Sequence, residues 1–209
     1  MTIKIDVKSN IKQFTKGLNK LGRSQIPFAT NVTIGNTAFR LMTVTKETMG
    51  KYIDRPTSKT IKSLRYKAPA RNKKAIPVGY VFFSELVSKY LKYSIYGGMR
   101  PFKKGRVLPT RNISTNAFGN VRNHRNIITT MKNKKDHFIN STGIFKRFKN
   151  GTNKLLYIFE TRAVKYKKTF PFFERMNLIA PKVFDHHFKK NLQKAIESTK
   201  ELIAKGVLR

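Results

Sequence analysis

The sequence predicts an α+β fold: an antiparallel sheet flanked by a long N-terminal helix and a C-terminal helix, with a long basic insertion arm at 102–153. Three observations predict it. Apolar residues recur at helical spacing toward both ends of the chain. Alternating and β-branched runs cluster between those helices, an order that favours α+β over a parallel α/β sheet. Residues 102–153 are polar, Asn-rich and basic, with scattered apolar positions. A stretch that long without a period reads as an arm that is functional or mobile. With 209 residues, 39% of them hydrophobic, the whole chain 1–209 is expected to form one domain with a true core.

Ile3, Ile5 and Val7 alternate with polar residues and predict a short strand. Ser9 and Asn10 are N-cap types, and Ile11, Phe14, Leu18 and Leu21 follow at helical spacing until Gly22. A second helix is predicted from Ser24, with Pro27 in its first turn, where an amide has no partner to lose. Phe28, Val32, Gly35, Phe39, Met42 and Met49 form its apolar stripe, and Gly50 closes it. Its many Thr and Val residues make it depend on tertiary packing.

Pro56 and Pro69 bracket a turn followed by a strand over 61–66. A second strand is predicted over 75–83, with Val78, Tyr80 and Phe82 on one face and Val81 and Phe83 on the other. Residues 84–93 form a short helix or a wide turn. Gly97-Gly98 predicts a tight turn that needs positive φ. Leu155-Leu156-Tyr157-Ile158-Phe159-Glu160 predicts a strong strand, and 164–168 a second. The last helix is expected to start near Pro181 and to present Phe184, Phe188, Leu192, Ile196 and Ile203.

Charge is the strongest constraint on partners. The chain carries 45 Lys/Arg against 10 Asp/Glu, a formal net charge of +35. Residues 55–154 hold 24 of the cations and only two acids, Glu85 and Asp136. Such a surface favours polyanions or acidic protein partners. There are no cysteines, which excludes disulfide scaffolds and thiolate metal sites. Neither a secretion signal nor a membrane span is expected: the first residues alternate, and no apolar run approaches the ~18 residues of a span.

Catalytic patterns are missing. Gly97-Gly98 lacks the frame of a phosphate-cradling loop. The ten acids are dispersed and no Glu is followed two residues later by Lys, which counts against a Mg²⁺-dependent nuclease. His186 and His187 are adjacent on a helix and point ~100° apart, poor geometry for one ion; one should face the core edge and the other solvent. No catalytic residue, metal ligand or cofactor is therefore expected. The candidates for subunit or DNA-backbone contacts are Arg55, Lys59 and Lys62, and the loop cations Arg100, Lys103, Lys104, Arg106 and Arg111, with Tyr93, Tyr96 and Phe102 nearby.

Several landmarks occur in a fixed order. They are Ile26-Pro27-Phe28-Ala29 with Asn36-Thr37-Ala38; Arg55-Pro56-Thr57 with Thr60-Ile61; Lys67-Ala68-Pro69-Ala70; and Tyr90-Leu91 with Gly97-Gly98-Met99-Arg100. Gly143-Ile144-Phe145-Lys146-Arg147, Phe170-Pro171-Phe172 and the helix from Pro181 follow. In this order the chain resembles the minor tail protein Z group, the tail-completion proteins at the neck of tailed phages. The resemblance implies a small α+β protomer in a six- or twelve-fold ring at the head–tail junction, assembled in the host cytoplasm. It implies portal, adaptor or tail proteins as partners, genomic DNA passing nearby, no membrane and no catalysis. The Asn- and Lys-rich middle departs from that pattern. The alternative expectation, from charge alone, is a basic nucleic-acid-binding protein contacting DNA backbone without sequence specificity.

Overall fold

The computed structural model describes residues 2–5, 20–70, 76–102, 106–121 and 135–204. Its elements are β1 (Thr2–Ile5), α1 (Lys20–Thr48), α2 (Ser58–Lys62), β2 (Leu64–Lys67), β3 (Gly79–Phe83), α3 (Glu85–Tyr96), β4 (Gly98–Arg100), β5 (Val107–Pro109), β6 (His137–Ile139), β7 (Gly143–Arg147), β8 (Asn153–Phe159), β9 (Val164–Tyr166) and α4 (Phe172–Ala204). All strand pairings are antiparallel. The mixed fold, with a long N-terminal helix, antiparallel sheets and a C-terminal helix, is as the sequence predicts.

The strands form three sheets, ordered β1-β3-β2, β4-β9 and β5-β8-β7-β6. The third sheet corrects the reading of 102–153 as an arm with little core. Its described parts supply β5, β6 and β7, and Ile144 is buried. Short strands of three to five residues leave too few apolar positions for a period to show.

The predicted helix ending at Gly22 lies mostly outside the described residues, but α1 already runs through Gly22 and Ser24. Its inward face differs from the predicted stripe. Ile26, Ala29, Thr30, Thr33, Ile34, Thr37, Ala38, Leu41 and Thr45 are buried, whereas Phe28, Val32 and Phe39 are exposed. Threonine can face inward because its hydroxyl bonds the preceding turn. Thr30 Oγ1 donates to the Ile26 carbonyl at 2.8 Å and Thr33 Oγ1 to that of Ala29 at 2.7 Å. These small side chains let α1 pack along α4. Asn191 on α4 donates to Thr33 Oγ1 at 3.0 Å across that seam.

A strand was expected over 61–66, but its first part is helical. Thr57 is the N-cap of α2: its Oγ1 accepts the Thr60 amide at 3.1 Å. Thr60 is buried and shares its hydroxyl with Thr57 and with Tyr90 Oη at 3.0 Å. The strand β2 begins only at Leu64. In β3, Val81 and Phe83 face the core, and Gly79 lies so close to α1 that a Cβ there would sit 2.8 Å from Ile34. Val87, Leu91 and Ile95 form the buried stripe of α3. Gly97 and Gly98 end it at φ 72° and 104°, the turn the sequence predicts.

The core lies between α1, α3, the first sheet and the start of α4. Leu41, Met49, Leu64, Val81, Phe83, Phe170, Phe172 and Met176 meet there. Phe83 and Phe172 pack with ring centroids 5.1 Å apart, and Tyr52 stacks on Phe170 at 5.7 Å. The last helix starts nine residues before Pro181. Pro171, not Pro181, precedes its first turn, and the Pro171 carbonyl accepts the Arg175 amide at 3.1 Å. Glu174 in that turn suits the positive end of the helix dipole. On the same helix His186 is exposed and His187 half-buried, as their adjacency predicts.

Two outcomes follow from the α1–α4 seam. Thr37 Oγ1 is buried with no hydrogen-bond partner among the described residues. Thr37→Val should therefore leave stability unchanged or raise it by about 1 kcal/mol, whereas Thr33→Val should lower it by about as much, since Asn191 loses its acceptor. Urea midpoints compare the two, and a larger loss at Thr37 would overturn the assignment. Burial holds the His187 pKa below its ordinary 6.5, with His186, Lys190 and Arg40 adding repulsion. The unfolded chain binds the proton more readily, so this contribution is present above pH 6.5 and is lost as pH falls below it. Melting temperature should decline less steeply on acidification in His187→Gln than in the wild type; parallel declines would refute it.

Candidate interaction surfaces

The predicted contact residues do not form one patch. Arg55 stands at φ 44°, in the left-handed region, directly before Pro56. Its guanidinium pairs with Asp54 at 3.0 Å. It also covers the turn at Gly119, where a Cβ would sit 3.2 Å from Nη2. Arg55 thus ties the Pro-Thr turn to the 116–120 loop, whose Asn116 Oδ1 accepts the amides of Phe118 and Asn120. Lys59 and Lys62 are exposed on α2, and Arg111 is exposed after β5. Lys103 and Lys104 lie outside the described residues.

Arg100 and Arg106 are committed elsewhere. Arg100 Nη2 meets Glu160 Oε1 at 2.7 Å, and Arg106 Nη1 meets Glu160 Oε2 at 2.8 Å. The Glu160 side chain is only 2% exposed, and the two guanidiniums about a quarter. The Glu160 amide also donates to the Arg106 carbonyl at 3.0 Å. Hydrogen bonding to Glu160 holds the Arg100 pKa above its ordinary value, against the opposing effect of burial. Arg100 further lies over the Tyr166 ring at 5.5 Å. The arrangement joins β4, the segment before β5 and the end of β8, so it locks the two-stranded sheet to the four-stranded one. The neighbouring rings are anchored too: Tyr93 packs on Tyr166 and Tyr96 on Phe173. Phe102 stays exposed.

A cationic row that sequence reasoning missed crosses the third sheet. In its register His137 opposes Lys146, and Lys146 opposes Lys154. Directly opposed residues share a face, with Cβ atoms ~5 Å apart. Phe148 lies beneath the two lysines: Nζ of Lys146 is 4.9 Å and Nζ of Lys154 5.1 Å from its ring centroid. The hairpin is closed by a Phe148–Thr152 backbone bond of 2.9 Å and by Gly151 at φ 80°. The neighbouring register row is apolar, Phe138–Phe145–Leu155, with the two rings stacked at 5.3 Å and Arg147 over Phe138 at 5.3 Å. No period-2 pattern marks it in sequence, since Phe145 and Phe148 stand three positions apart and fall on opposite faces.

A third surface is apolar. The outer face of α1 shows Phe28 at 62% and Phe39 at 49% exposure, with Val32 between them. Phe39 meets Tyr66 edge-on at 5.3 Å, and Gly35 admits Ala68 and Pro69 against the same face. Among the described residues no three His, Asp or Glu are grouped so as to hold a metal ion, and no helix is long and apolar enough to cross a membrane. No protein-family model, curated protein or solved structure matches the chain.

Removing the buried carboxylate should cost more than removing any surface pair. Glu160→Gln leaves two guanidiniums facing a neutral amide, and a loss of about 3 kcal/mol is expected, the low end for a broken buried pair. Glu85→Gln, which breaks only the exposed pair with Lys89, should leave stability essentially unchanged. Denaturant titration of both variants checks this, and equal losses would refute the lock.

Proposed function

We propose that this chain is a structural protein of a tailed-phage virion that completes or joins the tail at the neck. In this reading it acts as a ring-forming subunit without catalysis. The observation that carries the reading is the largely exposed apolar stripe of α1, Phe28, Val32 and Phe39, on an otherwise densely charged protein. Isolated apolar residues on a surface need no explanation, but aligned ones on one helix face suit a subunit contact. The ordered landmarks support the same reading, since Thr57, Gly97-Gly98 and Phe170-Pro171-Phe172 each stand at a joint of the fold.

Identical subunits of charge +35 repel one another. A ring of them calls for apolar contact between neighbours and an acidic portal, adaptor or tail surface, or DNA, beside them. The neck of the virion is the location that follows. The second reading, a basic protein that binds DNA backbone, is favoured by the cationic row on β6, β7 and β8.

Light scattering after size exclusion tests the assembly. Closed oligomers are expected, more stable at high salt as repulsion is screened. Phe28→Ser with Phe39→Ser should shift them to monomers that keep the wild-type far-UV circular dichroism spectrum, with a lower melting temperature because association no longer stabilises the fold. A wild-type protein that stays monomeric at every salt concentration and binds no neck or tail component would sink the reading.

A further inference from the structure

We infer that the face on which Lys146 and Lys154 stand over Phe148 is a binding site for the phosphodiester backbone of DNA. This goes beyond the structural role proposed above and rests on the second reading, contact with DNA backbone. Opposed like charges on adjacent strands destabilise a sheet, and here Lys146 stands directly opposite Lys154. Asp136, the one acid between 86 and 159, precedes β6 rather than standing in the row. The Phe148 ring lies under both ammonium groups and gathers the two charges at one place on the sheet. Lysines presented this way act as point charges for phosphate. With both lysines lying over it, Phe148 is a platform for cations rather than for a base. Contact without base readout follows. Among the described residues no carboxylate pairs with Lys146 or Lys154, in contrast to Arg100 and Arg106.

Fluorescence anisotropy with a short labelled duplex of random sequence tests this. Lys146→Gln with Lys154→Gln should weaken binding about tenfold near 0.1 M salt and lower the slope of log K against log salt by about two. Lys182→Gln with Lys189→Gln on α4 removes the same charge and should weaken binding less than about threefold. A second duplex of unrelated sequence should bind equally. Equal losses in the two double variants, sequence-dependent affinity, or a wild-type protein that ignores the duplex would each overturn the inference. Thermal melting guards against misfolding. Without DNA the Lys146/Lys154 variant should melt no lower than the wild type, because a repulsion has been removed, and DNA should raise the wild-type midpoint more than the variant's. A lower midpoint for the free variant would show that the row is structural and would also overturn it.

Discussion

Ten carboxylates have to serve a chain with 45 cations, and the fold depends on where they are placed. Most of the ion pairs lie at the surface. Asp54 with Arg55, Glu85 with Lys89 and Glu174 with Lys168 are all well exposed and contribute little. Glu160 is the exception among the described pairs, because it is buried and shared between two arginines. The remaining repulsion is offset by apolar burial. This explains why the core is built from large rings, Phe83, Phe170 and Phe172, and why it is concentrated where α1, α3 and α4 meet the first sheet. The other sheets add less to that core, so their attachment relies more on single polar links such as the Glu160 lock.

The long helix shows what an apolar-only pattern misses. Choosing Phe28, Val32 and Phe39 as the inward stripe selects by side-chain hydrophobicity. The structure selects instead by size and by local satisfaction of the hydroxyl. Thr30 and Thr33 carry their own acceptors in the preceding turn, so they behave inside the protein as small, stiff residues. Once threonine counts as a core residue, positions 26, 29, 30, 33, 34, 37, 38, 41 and 45 form one continuous face. The same residue type misled the reading of 57–66, where Thr57 is a cap and Thr60 a buried helical residue rather than strand positions.

Features set by local backbone chemistry were legible: the Gly97-Gly98 turn, β3, β8, and the unequal exposure of His186 and His187. The start of α4 was misplaced because two prolines, Pro171 and Pro181, are both compatible with a helix start, and only the burial of Phe170 and Phe172 decides between them. The contact residues were least legible. Arg100 and Arg106 look free in sequence, since the carboxylate that binds them is 60 and 54 positions away. Lys146 and Lys154 look ordinary, since the register that aligns them with His137 depends on a bulge between Ile144 and Phe145.

Salt acts on the two remaining surfaces in opposite directions. The stripe on α1 is apolar, and the proposed contact between subunits there would be opposed by long-range repulsion, so screening would favour it. The row on β6, β7 and β8 carries Lys146 and Lys154, and the proposed contact with DNA there would be driven by counterion release, so salt would weaken it. They share no residue and belong to different elements. DNA on the cationic row would itself neutralise part of the charge that keeps subunits apart. Polyanion binding would then promote association across the α1 stripe by lowering repulsion, with no change of shape required. In the proposed assembly, a chain this basic, with so few acids of its own, would take from its partner the counter-charge that close packing of identical copies demands.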